Sequence, residues 1–381
     1  AVRQGAPKLP LILRISGNEM SPEFGIEPDD LIPLFEMAQK AGSCAVHVGM
    51  GSSCFSPPWY FHHSSLPEKP QIEALTWVRN QTSLPVIAAG RMGRREKTLE
   101  IMEDGLADLI AIGRPMLADP RLLAKWQKKE YERVISCGYC LQGCLHRLKN
   151  GQPLGCNLNP ELGLPESAPT AKPLKVLIAG GGPAGMSSAM YLTKRGHQVT
   201  LAEKESQLGG QFNLTWQAPG KEKMKDGLEA IERQVKAGNA SVLTGRAVDA
   251  DLVRKIQPDL LVWATGAVQN IPDIEGLDDQ YWLTAVEYFR GDKDVQGPRV
   301  LVIGAGRAGL EIAEKLGKEG FEVVATKRTD PIGSFMEMIT RNLTLKRIAG
   351  MPQVTLMPHT TVKSIGSEGV EVIQDEETKT L

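Results

Sequence analysis

Residues 175–186 read KVLIAGGGPAGM. The run 175–179 is apolar on both faces, as a buried parallel strand requires. Gly180-x-Gly182-x-x-Gly185 follows, and a helix is expected from there through Met190 and Leu192. A second strand is expected over 197–202, ending at Glu203. A lone GxGxxG is weak evidence. Strand, glycine turn, helix, strand and an acid 23 residues after the first glycine form a dinucleotide-binding unit. The helix N-terminus would take a pyrophosphate and Glu203 a ribose hydroxyl. Gly209-Gly210-Gln211 adds a second flexible turn near the nucleotide. The run 260–263 reads as a strand that exits into Ala264-Thr265-Gly266.

The pattern occurs twice. A strand over 300–303 leads into Gly304-x-Gly306-x-x-Gly309, and the next strand is expected over 322–326. At the position equivalent to Glu203 stands Lys327, with Arg328 beside it. A basic pair attracts a 2′-phosphate that a carboxylate would repel, which leans this site toward NADPH. The alternative is that both residues simply face solvent.

Upstream, Cys137, Cys140, Cys144 and Cys156 form a C-x2-C-x3-C-x11-C run. Structural zinc sites usually pair two C-x2-C knuckles across a longer loop. Three cysteines in one tight turn plus a distant fourth suit an iron–sulfur cubane better, with zinc as the alternative. Of the other two cysteines, Cys44 is expected to be a buried strand residue and Cys54 a loop thiol. Residues 157–173, rich in Pro, Ala and Ser, read as a linker.

The first 130 residues alternate strands, expected over 11–16, 44–48, 86–89 and 109–112, with helical patterns over 30–41, 71–80 and 98–104. Single helices between strands imply parallel pairing with right-handed crossovers. Gly90-Arg91 and Gly113-Arg114 each fall just past a strand end. In a βα barrel the loops after the last two strands commonly hold a phosphate: glycine admits the backbone and arginine neutralises the charge. Only four strand–helix units are legible, and a closed barrel needs eight. A half-barrel leaves open edges. A complementary segment or subunit is therefore expected.

The chain has 381 residues and a formal net charge of −1, which gives no electrostatic case for binding nucleic acid or an anionic membrane. No apolar stretch is long enough for a membrane span. Six cysteines, four of them clustered, do not resemble a secreted disulfide framework. A reducing, cytoplasmic setting is expected.

Arg14 in LRIS, the two Gly-Arg pairs, the four cysteines, GGGPAGM with Glu203, GGQF, ATG and GAGRAGLE occur in one order. That order resembles the NADH:flavin oxidoreductase family related to old yellow enzyme, in its iron–sulfur long form, which includes 2,4-dienoyl-CoA reductase, 2-enoate reductase and trimethylamine dehydrogenase. The resemblance implies an α/β chain in five parts. These are the C-terminal half of a (β/α)8 barrel with FMN and substrate (1–130), a [4Fe-4S] segment (131–160), a linker (161–173), an incomplete FAD domain (174–295) and an inserted NAD(P) domain (296–381). It implies Arg14 against the FMN ring, Gly90, Arg91, Gly113 and Arg114 at the FMN phosphate, and the four cysteines on the cluster. It places Gly180, Gly182, Gly185, Glu203, Gly210 and Gln211 on FAD, and Gly304, Gly306, Gly309 and Lys327 on NAD(P)H. In the loop 57–63 it places a histidine at the substrate, with His63 favoured over His62. The implied activity is reduction of an activated C=C bond in a small unsaturated substrate. Electrons would run from NAD(P)H through FAD, the cluster and FMN. Amine dehydrogenation and an electron-transfer subunit of a larger complex are the alternatives, with a homo-oligomer among the expected assemblies. The tyrosine proton donor and the closing segment of the FAD domain, both expected in the family, are not in the sequence.

Overall fold

The computed structural model describes residues 2–5, 7–165, 168–329 and 331–381; Glu166 and Ser167 of the expected linker lie outside them. The chain divides into two units, 1–162 and 163–381.

In the first unit, β1 (Leu11–Ser16), β2 (Ser43–Gly49), β3 (Val86–Ala89) and β4 (Leu109–Ala111) pair in sequence order, all parallel. Between them run α1 (Ile32–Lys40), α2 (Lys69–Gln81) and α3 (Arg95–Glu103). This is the expected partial barrel. Val46, Val48, Val86 and Ala88 of the central strands join Phe35, Leu75, Val78 and Ile101 of the helices in one apolar cluster. Burying such side chains contributes about 1.5–3 kcal/mol each. The edges differ: Ile12 on β1 and Leu109 on β4 are 50% and 54% exposed. Cys44 is exposed too, contrary to expectation, because it faces outward on β2 between buried Ser43 and Ala45. The helix expected over 30–41 begins as a 3-10 turn at Pro28–Leu31 before α1 takes over. After β4 come three short helices, α4 (Arg114–Ala118), another at Leu122–Gln127 and, past the first three cysteines, α5 (Leu145–Lys149).

In the second unit, β5 (Lys175–Ala179), β6 (Gln198–Ala202), β7 (Ser241–Leu243) and β8 (Leu260–Trp263) form a parallel sheet in the order β7-β6-β5-β8. The order reverses at β5, and the GGGPAG turn sits at its carboxyl end, the crevice where doubly wound sheets bind ligands. The helix α6 (Pro183–Lys194) buries Met186 and Ala189 completely, and α7 (Met224–Ala237) buries Leu228, Ile231 and Val235 along one stripe. A second parallel sheet, β11-β10-β9, consists of β9 (Arg299–Ile303), β10 (Glu322–Thr326) and β11 (Val354–Met357). Its helices are α8 (Arg307–Lys318) and α9 (Met338–Ala349). The chain continues into an antiparallel meander, β12 (Thr360–Gly366), β13 (Gly369–Gln374) and β14 (Glu377–Thr380).

Candidate functional site

At the carboxyl ends of β1–β4 lies a cavity of about 230 Å³, lined by Arg14, His47, Tyr60, His62, Gly90, Arg91, Gly113, Arg114 and Tyr139, among others. Arg14 and His47 are register partners on β1 and β2. Both Gly-Arg pairs reach the same space from consecutive strands. Gly90 has φ +96°, and a Cβ there would lie 2.3 Å from the His62 ring, so only glycine lets that imidazole settle on the backbone. Arg91, itself at φ +48°, donates to the carbonyls of Leu66 (2.6 Å) and Pro67 (2.8 Å), which ties down the loop after His62. Four buried polar atoms on this wall have no hydrogen-bond partner: His47 Nδ1, Arg91 Nε, Arg114 Nη1 and Tyr139 Oη. Buried polar groups without partners are rare and costly, and the N–H and O–H donors of Arg91, Arg114 and Tyr139 among them suit an anionic ligand.

His62 is buried among cations. Burial first, then Arg114, Arg91, Lys97 and Arg14, lower its pKa to about 3, so the imidazole is neutral at any ordinary pH. His47 shifts the same way, through burial and Arg14. His63 does not line the cavity; its Nδ1 lies 2.8 Å from Ser65 Oγ. Gln71, on α2, was not legible as a site residue because a glutamine on a helix reads as surface. Its Nε2 donates to the carbonyls of Ala89 (2.6 Å) and Gly90 (2.7 Å), and Lys97 Nζ in turn donates to its Oε1 (3.1 Å), so a buried chain of polar groups holds the Gly90 turn.

The four cysteines line one adjoining pocket, whose wall also includes Arg114 and Tyr139. Two non-glycine residues flanking Cys140, Tyr139 (φ +50°) and Leu141 (φ +58°), adopt left-handed backbone, a costly arrangement that turns successive cysteines to one side. Gly143 lets the Cys156 segment close on this turn, since a Cβ there would lie 2.7 Å from Asn157 N. The amides of Tyr139 and Leu158 donate to Cys137 Sγ and Cys156 Sγ, both at 3.4 Å. Burial pushes the Cys137 thiol up to about 12, against the pull of Arg114, and also raises Cys144 and Cys156. Such thiols become thiolates only beside a positive centre. Among the described residues, no three His, Cys, Asp or Glu side chains are set to hold a single metal ion. Asp119 anchors the entry to this segment: buried, it takes Lys125 Nζ at 2.6 Å and the Ile135 amide at 2.9 Å.

In the second unit, Gly185 approaches the first turn so closely that a Cβ would lie 1.8 Å from Gly180 O. Glu203 is buried, and its Oε2 accepts from the Gly181 amide at 2.6 Å and its Oε1 from Glu205 N at 2.9 Å. It therefore braces the glycine loop while each oxygen keeps a lone pair for a ligand hydroxyl. Gly209 N donates to Gly181 O, and Gln211 Nε2 to Ala267 O, so the second turn closes on the first. The later copy repeats the geometry: Gly304 has φ +100°, Gly306 caps α8, and a Cβ on Gly309 would lie 2.2 Å from Gly304 O. Lys327 follows β10 and is half-buried, while Arg328 is exposed.

Residues 174–381, more than half of the sequence, match the pyridine nucleotide-disulphide oxidoreductase family. The chain belongs to that family. Residues 39–133 match the NADH:flavin oxidoreductase / NADH oxidase family, so the dinucleotide-binding part is joined to an old-yellow-enzyme-type segment, and the expected kinship with the long-form flavoproteins holds. It is 28% identical to bilirubin reductase of Mediterraneibacter gnavus (strain CC55_001C) over 97% of this chain and 58% of the relative. Cinnamate reductase of Clostridium sporogenes is 32% identical over 77% of this chain and 44% of its own. Dehydrogenases of N,N-dimethylglycine/sarcosine and of dimethylamine are also among the relatives, at 31% and 28% identity. A solved 2-naphthoyl-CoA reductase superposes on the whole chain with a TM-score of 0.91 at 24% identity, over 58% of its own length, which shows a shared fold. The chain thus spans a little over half the length of the relatives it matches most fully. Among the described residues, no helix is long and apolar enough to cross a membrane.

Proposed function

We propose that this flavoprotein-family chain belongs to an NAD(P)H-dependent oxidoreductase that reduces an activated C=C bond of the enoate, enone or 2,4-dienoyl-CoA type. The observation that carries the reading is the four unpartnered buried polar atoms around one cavity whose wall continues into the four-cysteine pocket. The donor set fits FMN, with Arg91, Arg114 and the Gly90 and Gly113 turns at its phosphate and Arg14 nearer the ring. The cysteine pocket fits a [4Fe-4S] cluster. Three cysteines on one tight turn, with Cys156 closing from a later segment, suit a cubane better than the two paired knuckles usual for zinc. FAD on the Gly180–Gly185 turn and NAD(P)H on the Gly304–Gly309 turn complete the set. Bound together, these groups supply hydride uptake from the nicotinamide, single-electron transfer between the flavins and hydride delivery to the substrate.

The side chains of the chain act around them. Arg14 places a positive charge where negative charge accumulates on reduction. His62, rather than the expected His63, is the imidazole that lines the cavity, and its ring lies against Gly90, beside the arginines placed at the phosphate. Held neutral, it can donate one ring N–H to a bound anion without adding a charge to the surrounding cations. Glu203 keeps the dinucleotide turn in shape. The amine dehydrogenases among the relatives favour one other reading, in which electrons leave a substrate amine.

Anaerobic mixing of the purified protein with NADH or NADPH tests the proposal. Flavin bleaching that cinnamate-type enoates or enones reverse supports it. Flavin that neither nicotinamide bleaches, but dimethylamine does, replaces it with the amine reading.

A further inference from the structure

Tyr139 stands between Cys137 and Cys140, where a sequence reading sees only a spacer. Its side chain is 6% exposed, and its Oη has no hydrogen-bond partner. The Arg114 guanidinium lies over its ring, 5.3 Å from the centroid. Oη reaches the gap between the two loops that carry the Gly-Arg pairs. A Cβ built on Gly93, just after Gly90-Arg91, would lie 2.7 Å from Oη and 2.6 Å from Cγ of Pro115, just after Gly113-Arg114. A phenylalanine would fill this space without stranding a hydroxyl, and an orphaned buried hydroxyl costs stability unless a ligand satisfies it.

We propose that Tyr139 is a binding residue of the flavin cavity, its Oη donating a hydrogen bond to the phosphate of the bound flavin nucleotide. This rests on the flavin reading above. The same residue serves both pockets: its amide donates to Cys137 Sγ at 3.4 Å while its phenol faces the anion-binding wall. Anion binding and the shape of the cysteine turn are thereby tied to one side chain.

The test compares Tyr139→Phe with the wild-type chain for FMN and for riboflavin, which lacks the phosphate, by quenching of flavin fluorescence, with iron and acid-labile sulfide measured alongside. A hydrogen bond to a charged group corresponds to a loss of about 10-fold or more. The expected result is FMN bound about 10-fold more weakly, riboflavin bound as before, and iron content unchanged, since the backbone amide remains. An equal loss for both flavins, or no loss for FMN, overturns the proposal. If Tyr139→Phe fails to fold, Tyr139→Leu, which removes the hydroxyl with a smaller side chain, is read by the same FMN-to-riboflavin ratio. Wild-type protein that binds neither flavin sinks the flavin reading itself, a different outcome from a tyrosine that makes no difference.

Discussion

His62 makes the acid stability of the first unit predictable. Its pKa is lowered from 6.5 to about 3 by burial and by Arg114, Arg91, Lys97 and Arg14. A base whose folded pKa is depressed binds its proton first in the unfolded chain. Between about pH 6.5 and 3 the unfolded state therefore holds one more proton, and the fold loses stability as pH falls. The contribution is fully present above pH 6.5 and declines at about 1.4 kcal/mol per pH unit below it. From pH 7.0 to 4.5 the loss is about 3 kcal/mol, two units' worth below 6.5. His62→Gln keeps a neutral polar side chain and removes this dependence. The assay is urea unfolding of the flavin-free protein at both pH values, read by hydrogen exchange in the β2 and β3 peptides. Wild type should lose about 3 kcal/mol more than the variant over that interval. Parallel losses within about 0.5 kcal/mol, or an imidazole NMR titration with a midpoint above about pH 5.5, would refute the reasoning.

Two further outcomes follow from the second unit. Lys327→Glu should shift the ratio of NADPH to NADH affinities about 10-fold toward NADH in binding titrations; an unchanged ratio would mean that Lys327 and Arg328 only face solvent. Glu314 is 1% exposed and takes a bidentate pair from Arg347 at 2.7 and 2.9 Å, with Lys318 at 2.8 Å. Arg347→Met should cost about 3 kcal/mol in urea unfolding of that unit by leaving a buried carboxylate underpaired, whereas Glu314→Leu with Arg347→Met should recover most of the loss.

Strands 86–89, 175–179 and 322–326 have the bounds that their apolar runs imply, because a largely buried parallel strand leaves a continuous signature; 260–263 also has its implied bounds, although Leu260, Leu261 and Trp263 are exposed. Other elements carry no such mark. The three-residue strand Ser241–Leu243 is too short for a periodic pattern, and β12–β14 alternate polar and apolar residues around turns that a single sequence does not pair. Cys44 was misplaced because a strand residue reads as buried until its face is known. His62 and His63 are chemically identical in the sequence; φ +45° at His62 and the bare Cα of Gly90 turn one into the cavity, while the other meets Ser65.

By itself the sequence determined the two dinucleotide turns, the cysteine spacing, the parallel strand–helix units and the Gly-Arg pairs, since each depends on local backbone chemistry or on spacing along the chain. Only the tertiary structure decided that Arg91, Arg114, His47 and Tyr139 bring unpaired polar atoms to one wall, that this wall adjoins the four thiols, and that Gln71 and Lys97 brace it. These groups are as much as 92 positions apart along the chain, His47 to Tyr139. Their meeting depends on which strand ends the sheet places side by side, and the free energy of an unpaired buried donor does not exist until the fold removes the water.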